Sequence, residues 1–127
     1  MAILIDSDVL IDWERGTAPT LPAEARAISV VTASELLHGV HRSEGAARVW
    51  RSAFTEYVLQ ALPVIPITVP VARAHSQIWA SLEAGGLPIG AHDLWIAATA
   101  LAHDFAVATR NAAQFGRVEG LRVIDLG

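Results

Sequence analysis

Four residues stand where they can do chemistry together: Asp6, Glu35, Asp93 and Asn111. Asp6 follows directly on the apolar run Ile3-Leu4-Ile5, and Glu35 lies four residues past Val31. Asp93 opens a long apolar stretch, and Asn111 comes three residues after Ala106-Val107-Ala108. If those runs are strands of one parallel sheet, their ends bring three carboxylates and an amide to a single edge. Carboxylates crowded in low dielectric repel, so the group takes up a proton or a cation. An all-oxygen donor set suits a hard divalent ion, Mg²⁺ or Mn²⁺. Such an ion polarises a phosphoryl oxygen and activates water at neutral pH. Hydrolysis of a phosphodiester is the reaction class that follows. Each residue also has a plain structural role. Asp6 can cap a following helix, and Thr32-Ala33-Ser34-Glu35 reads as a capping box. Asp93 suits a first helical turn, and Asn111 suits a turn.

The elements that must position these residues alternate between short β-branched runs and longer helical patterns. Strands are expected at 3–5, 28–31, 64–67, 106–108 and 121–124. Helices are expected at about 8–15, 33–41, 44–62, 71–84 and 91–103. Pro66 places the third strand at an edge. In the helix over 44–62, Trp50, Phe54, Tyr57, Val58 and Leu62 share one face. The strands are continuously apolar rather than alternating, which implies a parallel sheet covered on both faces. The expected fold is a three-layer α/β/α sandwich, formed by one domain over residues 1–127. Ligands of such folds sit at the carboxyl ends of the strands, near the point where strand order reverses.

Composition narrows the function. With 127 residues, 53% of them hydrophobic, the chain buries a core without staples, and it has no cysteine to make any. Thiolate zinc sites, disulfide frameworks and thiol catalysis are excluded. All nine basic residues are arginine. The absence of lysine removes P-loop ATPases and Schiff-base enzymes. A net charge of −4 argues against gripping nucleic acid by bulk positive charge. No apolar run approaches the roughly 20 residues that cross a bilayer, and a cytoplasmic protein is expected. The apolar surplus suits a partner or a second copy of the chain.

The chain resembles the PIN-domain ribonucleases, specifically the VapC-type toxins of bacterial toxin–antitoxin pairs. Four motifs carry the resemblance, in order along essentially the whole length. They are Ile3-Leu4-Ile5-Asp6-Ser7-Asp8-Val9-Leu10-Ile11, Thr32-Ala33-Ser34-Glu35-Leu36-Leu37-His38-Gly39, Asp93-Leu94-Trp95-Ile96-Ala97-Ala98-Thr99-Ala100, and Thr109-Arg110-Asn111 with Phe115. The resemblance implies an endoribonuclease dependent on Mg²⁺ or Mn²⁺, with Asp6 and Asp93 as direct ligands and Glu35 as the third metal-site acid. It implies a homodimer and a cognate antitoxin whose C-terminal segment lies across the active site. One departure stands out: many members carry an acid at the position of Asn111 or of Gln114, and this chain has amides at both. Asn111 is retained as a site residue, whereas Asp8 reads chiefly as a first-turn helix acid, with a contribution to the site as its second reading. Arg110 is the expected phosphate-binding residue, because a guanidinium makes bidentate contacts, and Thr109 is placed beside it toward substrate. Arg42, Arg48 and Arg51 read chiefly as a solvated helix face, with a second positive patch as the competing reading.

Three other readings compete. A catalytically impaired PIN-like module that binds RNA or protein is favoured by the two neutral amides. A DNA nuclease would use the same acids, which do not sense a 2′-hydroxyl. A small-molecule enzyme on a doubly wound sheet lacks a nucleotide-binding glycine motif.

Overall fold

The computed structural model describes residues 2–127. Its elements, in chain order, are β1 (Ala2–Ile5), α1 (Ser7–Glu14), β2 (Ala25–Ser29), α2 (Val30–Arg42), α3 (Gly45–Ala61), β3 (Val64–Ile65), α4 (Val69–Gly85), α5 (Ala91–His103), β4 (Ala106–Thr109), α6 (Ala112–Phe115) and β5 (Val123–Asp125). Five strands pair in the order β3-β2-β1-β4-β5, every pair parallel. The chain builds outward from β1 through β2 to β3. It then crosses back, lays β4 on the other side of β1, and ends on β5. The order therefore reverses at the β1–β4 seam, where Ile5 is in register with Ala108.

Because successive side chains of a strand point to opposite faces, the central strands feed two cores. Leu4 and Val107 pack on one side with Val71, Ile78 and Leu82 of α4 and Leu94, Ile96, Ala97 and Ala100 of α5. Ile3, Ile5 and Ala108 pack on the other with Val9 and Leu10 of α1, Ala33 and Leu36 of α2 and Val58 of α3. This is the three-layer sandwich expected from the apolar runs. The alanines of α5 keep that helix close to the sheet. Its buried Thr99 satisfies its hydroxyl by donating to the Trp95 carbonyl at 2.8 Å.

The boundaries differ from expectation in instructive places. Val30 and Val31 do not extend β2; they are the first residues of α2, because Ser29 caps that helix by accepting from the Thr32 N–H at 3.0 Å. Glu35 therefore lies in the second turn of α2, and the capping-box reading of residues 32–35 is wrong. On α3 the buried positions are Thr55 and Val58, while Trp50 and Tyr57 are 67% and 56% exposed. The face assigned from spacing was thus wider than the face the sheet can cover. β3 is an edge strand as Pro66 required, but it stops before that proline. The four-residue α6 was not anticipated. Among the described residues, no helix is long and apolar enough to cross a membrane.

Candidate active site

Asp6 leaves β1 at its carboxyl end, and its backbone N–H still donates to the Ala108 carbonyl of β4 at 3.0 Å. The residue is 5% exposed. Its Oδ1 accepts from the Ser7 N–H at 2.8 Å, which opens α1. Its Oδ2 accepts from the Thr109 hydroxyl, also at 2.8 Å. The same Thr109 oxygen accepts from the Asn111 N–H at 2.9 Å. Thr109 is fully buried, so it positions Asp6 from within the sheet edge and does not reach substrate as expected.

Asp93 comes from the first turn of α5, whose N-terminus is shaped by α6. The Gly90 N–H ahead of that helix donates to Gln114 Oε1 at 3.1 Å. The Asn111 side-chain amide donates to Asp93 Oδ2 at 3.4 Å. The two side-chain amides, of Asn111 and Gln114, thus hold the start of α5 in place. Asp8, in the first turn of α1, faces the same seam and accepts from the Arg110 N–H at 3.2 Å through Oδ2.

Glu35 enters from α2. Its Oε2 lies 3.5 Å from His92 Nδ1. Its Oε1 is buried and has no hydrogen-bond partner, and such an orphaned acceptor is rare in folded proteins.

Electrostatics tie the acids together. Burial, then the nearby Asp8 and Asp93 charges, push the Asp6 carboxyl up to about 7, although the Thr109 and Ser7 hydrogen bonds work the other way. Burial also raises Asp93, reinforced by the charges of Glu35 and Asp8. Asp8 is raised chiefly by burial, against the favourable Arg110 N–H. Three carboxyls, at the end of β1, in the first turn of α1 and at the start of α5, all resist ionising, as a shared acidic site without a counter-charge must. Among the described residues, no three acidic or histidine side chains are already arranged to hold a metal ion. The acids form a cluster around the seam rather than a closed cage.

Asp6, Glu35, Asp93 and Asn111 thus gather at one edge, as the sequence implied, with Asp8 as a full member. Arg110 does not join them: its guanidinium pairs with Asp12 at 2.7 Å. Two features escaped the sequence, the Thr109–Asp6 bond and a cleft of about 590 Å³ that continues from Ser7 and Glu35 along α1, α2 and α3.

Comparison with known proteins places these observations in context. The chain matches the PIN domain family over residues 3–121. It is 33% identical over 130 residues to ribonuclease VapC1 of Rickettsia felis, an alignment covering 99% of this chain and 97% of that protein. Among solved structures, it superposes on DNA-bound VapBC from Salmonella typhimurium with a TM-score of 0.86 at 26% identity, covering 98% of each chain. VapBC2 from Rickettsia felis, bound to a promoter DNA fragment, shares the fold with a TM-score of 0.88 at 22% identity over the full length of both.

Proposed function

The chain belongs to the PIN domain family, and from that premise we propose that it is a VapC-type endoribonuclease toxin, neutralised by a cognate antitoxin. The observation that carries the chemistry is the cluster of Asp6, Asp8 and Asp93 at the β1–β4 seam, where burial raises all three carboxyls and the Asp8 charge raises the other two. The donor set fits a hard divalent cation, because it is all oxygen and includes the orphaned Glu35 Oε1. Asp6, Asp93 and Glu35 would hold Mg²⁺ or Mn²⁺. When bound, that ion supplies Lewis-acid polarisation of a phosphoryl oxygen and activation of water.

The chain's own residues prepare the site for this work. Thr109 and the Ser7 N–H fix both oxygens of Asp6, so its orientation is set before substrate arrives. Asn111 orients Asp93 without adding charge. Their carboxyls repel in the absence of a cation, so loading the site relieves strain that the fold already carries. Arg110 anchors the β4–α6 loop to α1 through Asp12 and, through its backbone, Asp8.

Exposed apolar side chains, among them Trp50 and Trp79 at 67% and 53% exposure, support a homodimer and an antitoxin surface. RNA as substrate is in keeping with action in the cytoplasm. The test incubates antitoxin-free protein with a cellular RNA pool, with and without Mg²⁺ or Mn²⁺, beside Asp6→Asn, and maps the new ends by sequencing. Discrete cuts that need metal and vanish in Asp6→Asn are expected. Folded protein that cuts nothing with either ion would leave an RNA- or protein-binding module as the better reading.

A further inference from the structure

The cleft that runs from the acids holds an unusual set of groups. It shares Ser7 and Glu35 with the reacting centre and continues past His38 and Gly39 to Arg15, Arg42, Arg51 and Thr55. Both buried side-chain oxygens without a hydrogen-bond partner among the described residues, Glu35 Oε1 and Thr55 Oγ1, belong to residues that line it. Thr55 is 1% exposed, and its unsatisfied hydroxyl lies beneath the surface of the cleft. Such a group costs stability unless something polar completes it.

The arginines are equally poised. Arg51 is held through Nε by Glu14 at 3.3 Å, and the Glu14 side chain is only 10% exposed. A buried carboxylate thus orients one guanidinium and leaves its terminal nitrogens uncommitted. Arg15 and Arg42 make no salt bridge among the described residues. On a chain of net charge −4, three arginines against two glutamates make this a local positive site next to an acidic one. Its volume lies within the range of about 300–1,000 Å³ that holds a small organic ligand.

Resting on the ribonuclease reading, we propose that this cleft seats the RNA nucleotide flanking the cut. Arg15, Arg42 and Arg51 bind its phosphate. Guanidinium groups grip phosphate oxygens bidentately, and a neighbouring phosphate is the one anion that substrate always carries to this place.

The test measures binding of a labelled single-stranded RNA by fluorescence anisotropy in EDTA, over a range of salt, so that no cleavage is needed. For Arg15→Gln/Arg42→Gln the affinity falls roughly tenfold and the slope of log K against log[salt] falls by about 0.7 for each arginine removed. Arg73→Gln, an equal loss of charge on α4, leaves the slope unchanged. A slope unchanged in the double variant, or an equal drop in Arg73→Gln, would overturn the proposal. So would a double variant that keeps RNA affinity and loses antitoxin affinity, because the cleft would then be a peptide site. With cleavage as the second readout, one neutral methylphosphonate linkage beside the cut slows the wild type several-fold and has no added effect in the double variant. Wild type that binds RNA through these arginines and cuts none would fail the ribonuclease reading while leaving the cleft intact.

Discussion

The Thr109 hydroxyl donates to Asp6 Oδ2 at 2.8 Å across the seam between β4 and β1, joining residues 103 positions apart in the chain. The bond lies where strand order reverses, and it is the main hydrogen bond opposing the rise of the Asp6 carboxyl toward 7. Thr109→Val keeps the shape and removes the donor. The Asp6 carboxyl then rises further, and activity at neutral pH falls about tenfold, as expected for a lost hydrogen bond to a charged group of ~1.5 kcal/mol. A pH–rate profile checks this: the ascending limb moves to higher pH, whereas a purely structural role for Thr109 leaves it in place.

Metal-free protein is expected to lose stability as pH rises. The folded-state value of Asp6, about 7, lies above that of the unfolded chain, so the folded state holds the extra proton. Its contribution is fully present below the usual carboxylate range and is lost as pH climbs toward 7, at about 1.4 kcal/mol per pH unit. Asp8 and Asp93 shift in the same direction. Thermal unfolding in EDTA between pH 5 and pH 8 reads this out. Adding Mg²⁺ or Mn²⁺ at pH 8 restores the loss, since the cation binds only the folded, ionised site.

Asp6→Asn and Asp93→Asn should abolish cleavage and yet stabilise the metal-free protein at pH 8. Each removes a buried charge from a repelling set, a stability gained at the expense of function. A melting temperature above wild type at pH 8, by a margin that narrows at pH 5, is the expected pattern. A drop at both pH values would mean that the carboxyls are structural.

Ser29→Ala is expected to cost about 1 kcal/mol, the worth of a lost helix cap. Glu35→Gln is expected to cost little stability, because Glu35 does not cap α2, but to abolish cleavage. Denaturant unfolding of the two variants separates the capping residue from the chemical one.

Asn111→Asp would set a further carboxylate 3.4 Å from Asp93 Oδ2 in place of the amide donor. The variant should melt lower in EDTA and bind Mn²⁺ several-fold more tightly, measured by calorimetry. Equal affinity in both proteins would place residue 111 outside the metal's reach.

Much of this site can be read along the chain because it hangs on element ends. Asp6 and Asp93 sit where an apolar run meets a charge, so each is found from its neighbours alone. The start of α2 is hidden, because Val30 and Val31 look like strand and only the Ser29 side chain, bonded to Thr32, reveals the helix. Spacing on α3 likewise grouped Trp50 and Tyr57 with Val58, since periodicity gives a direction and not the width of the surface that covers it. The four residues of α6 are too few for any period to show. The partners of Thr109, Arg110 and Arg51 lie 103, 98 and 37 residues away. Such pairings depend on strand order, which local sequence does not encode.

Strand order also sets a clock. β1 is made first, but the strand that completes the seam is β4, at Ala106–Thr109 of a 127-residue chain. Domains fold as units while synthesis proceeds from the N-terminus, and Asp6 lacks Asp93, Thr109 and Asn111 until residue 111 has emerged. A growing polypeptide therefore carries Asp6 and Glu35 without the partners that complete the site, and the cluster of acids assembles only once β4 has docked beside β1.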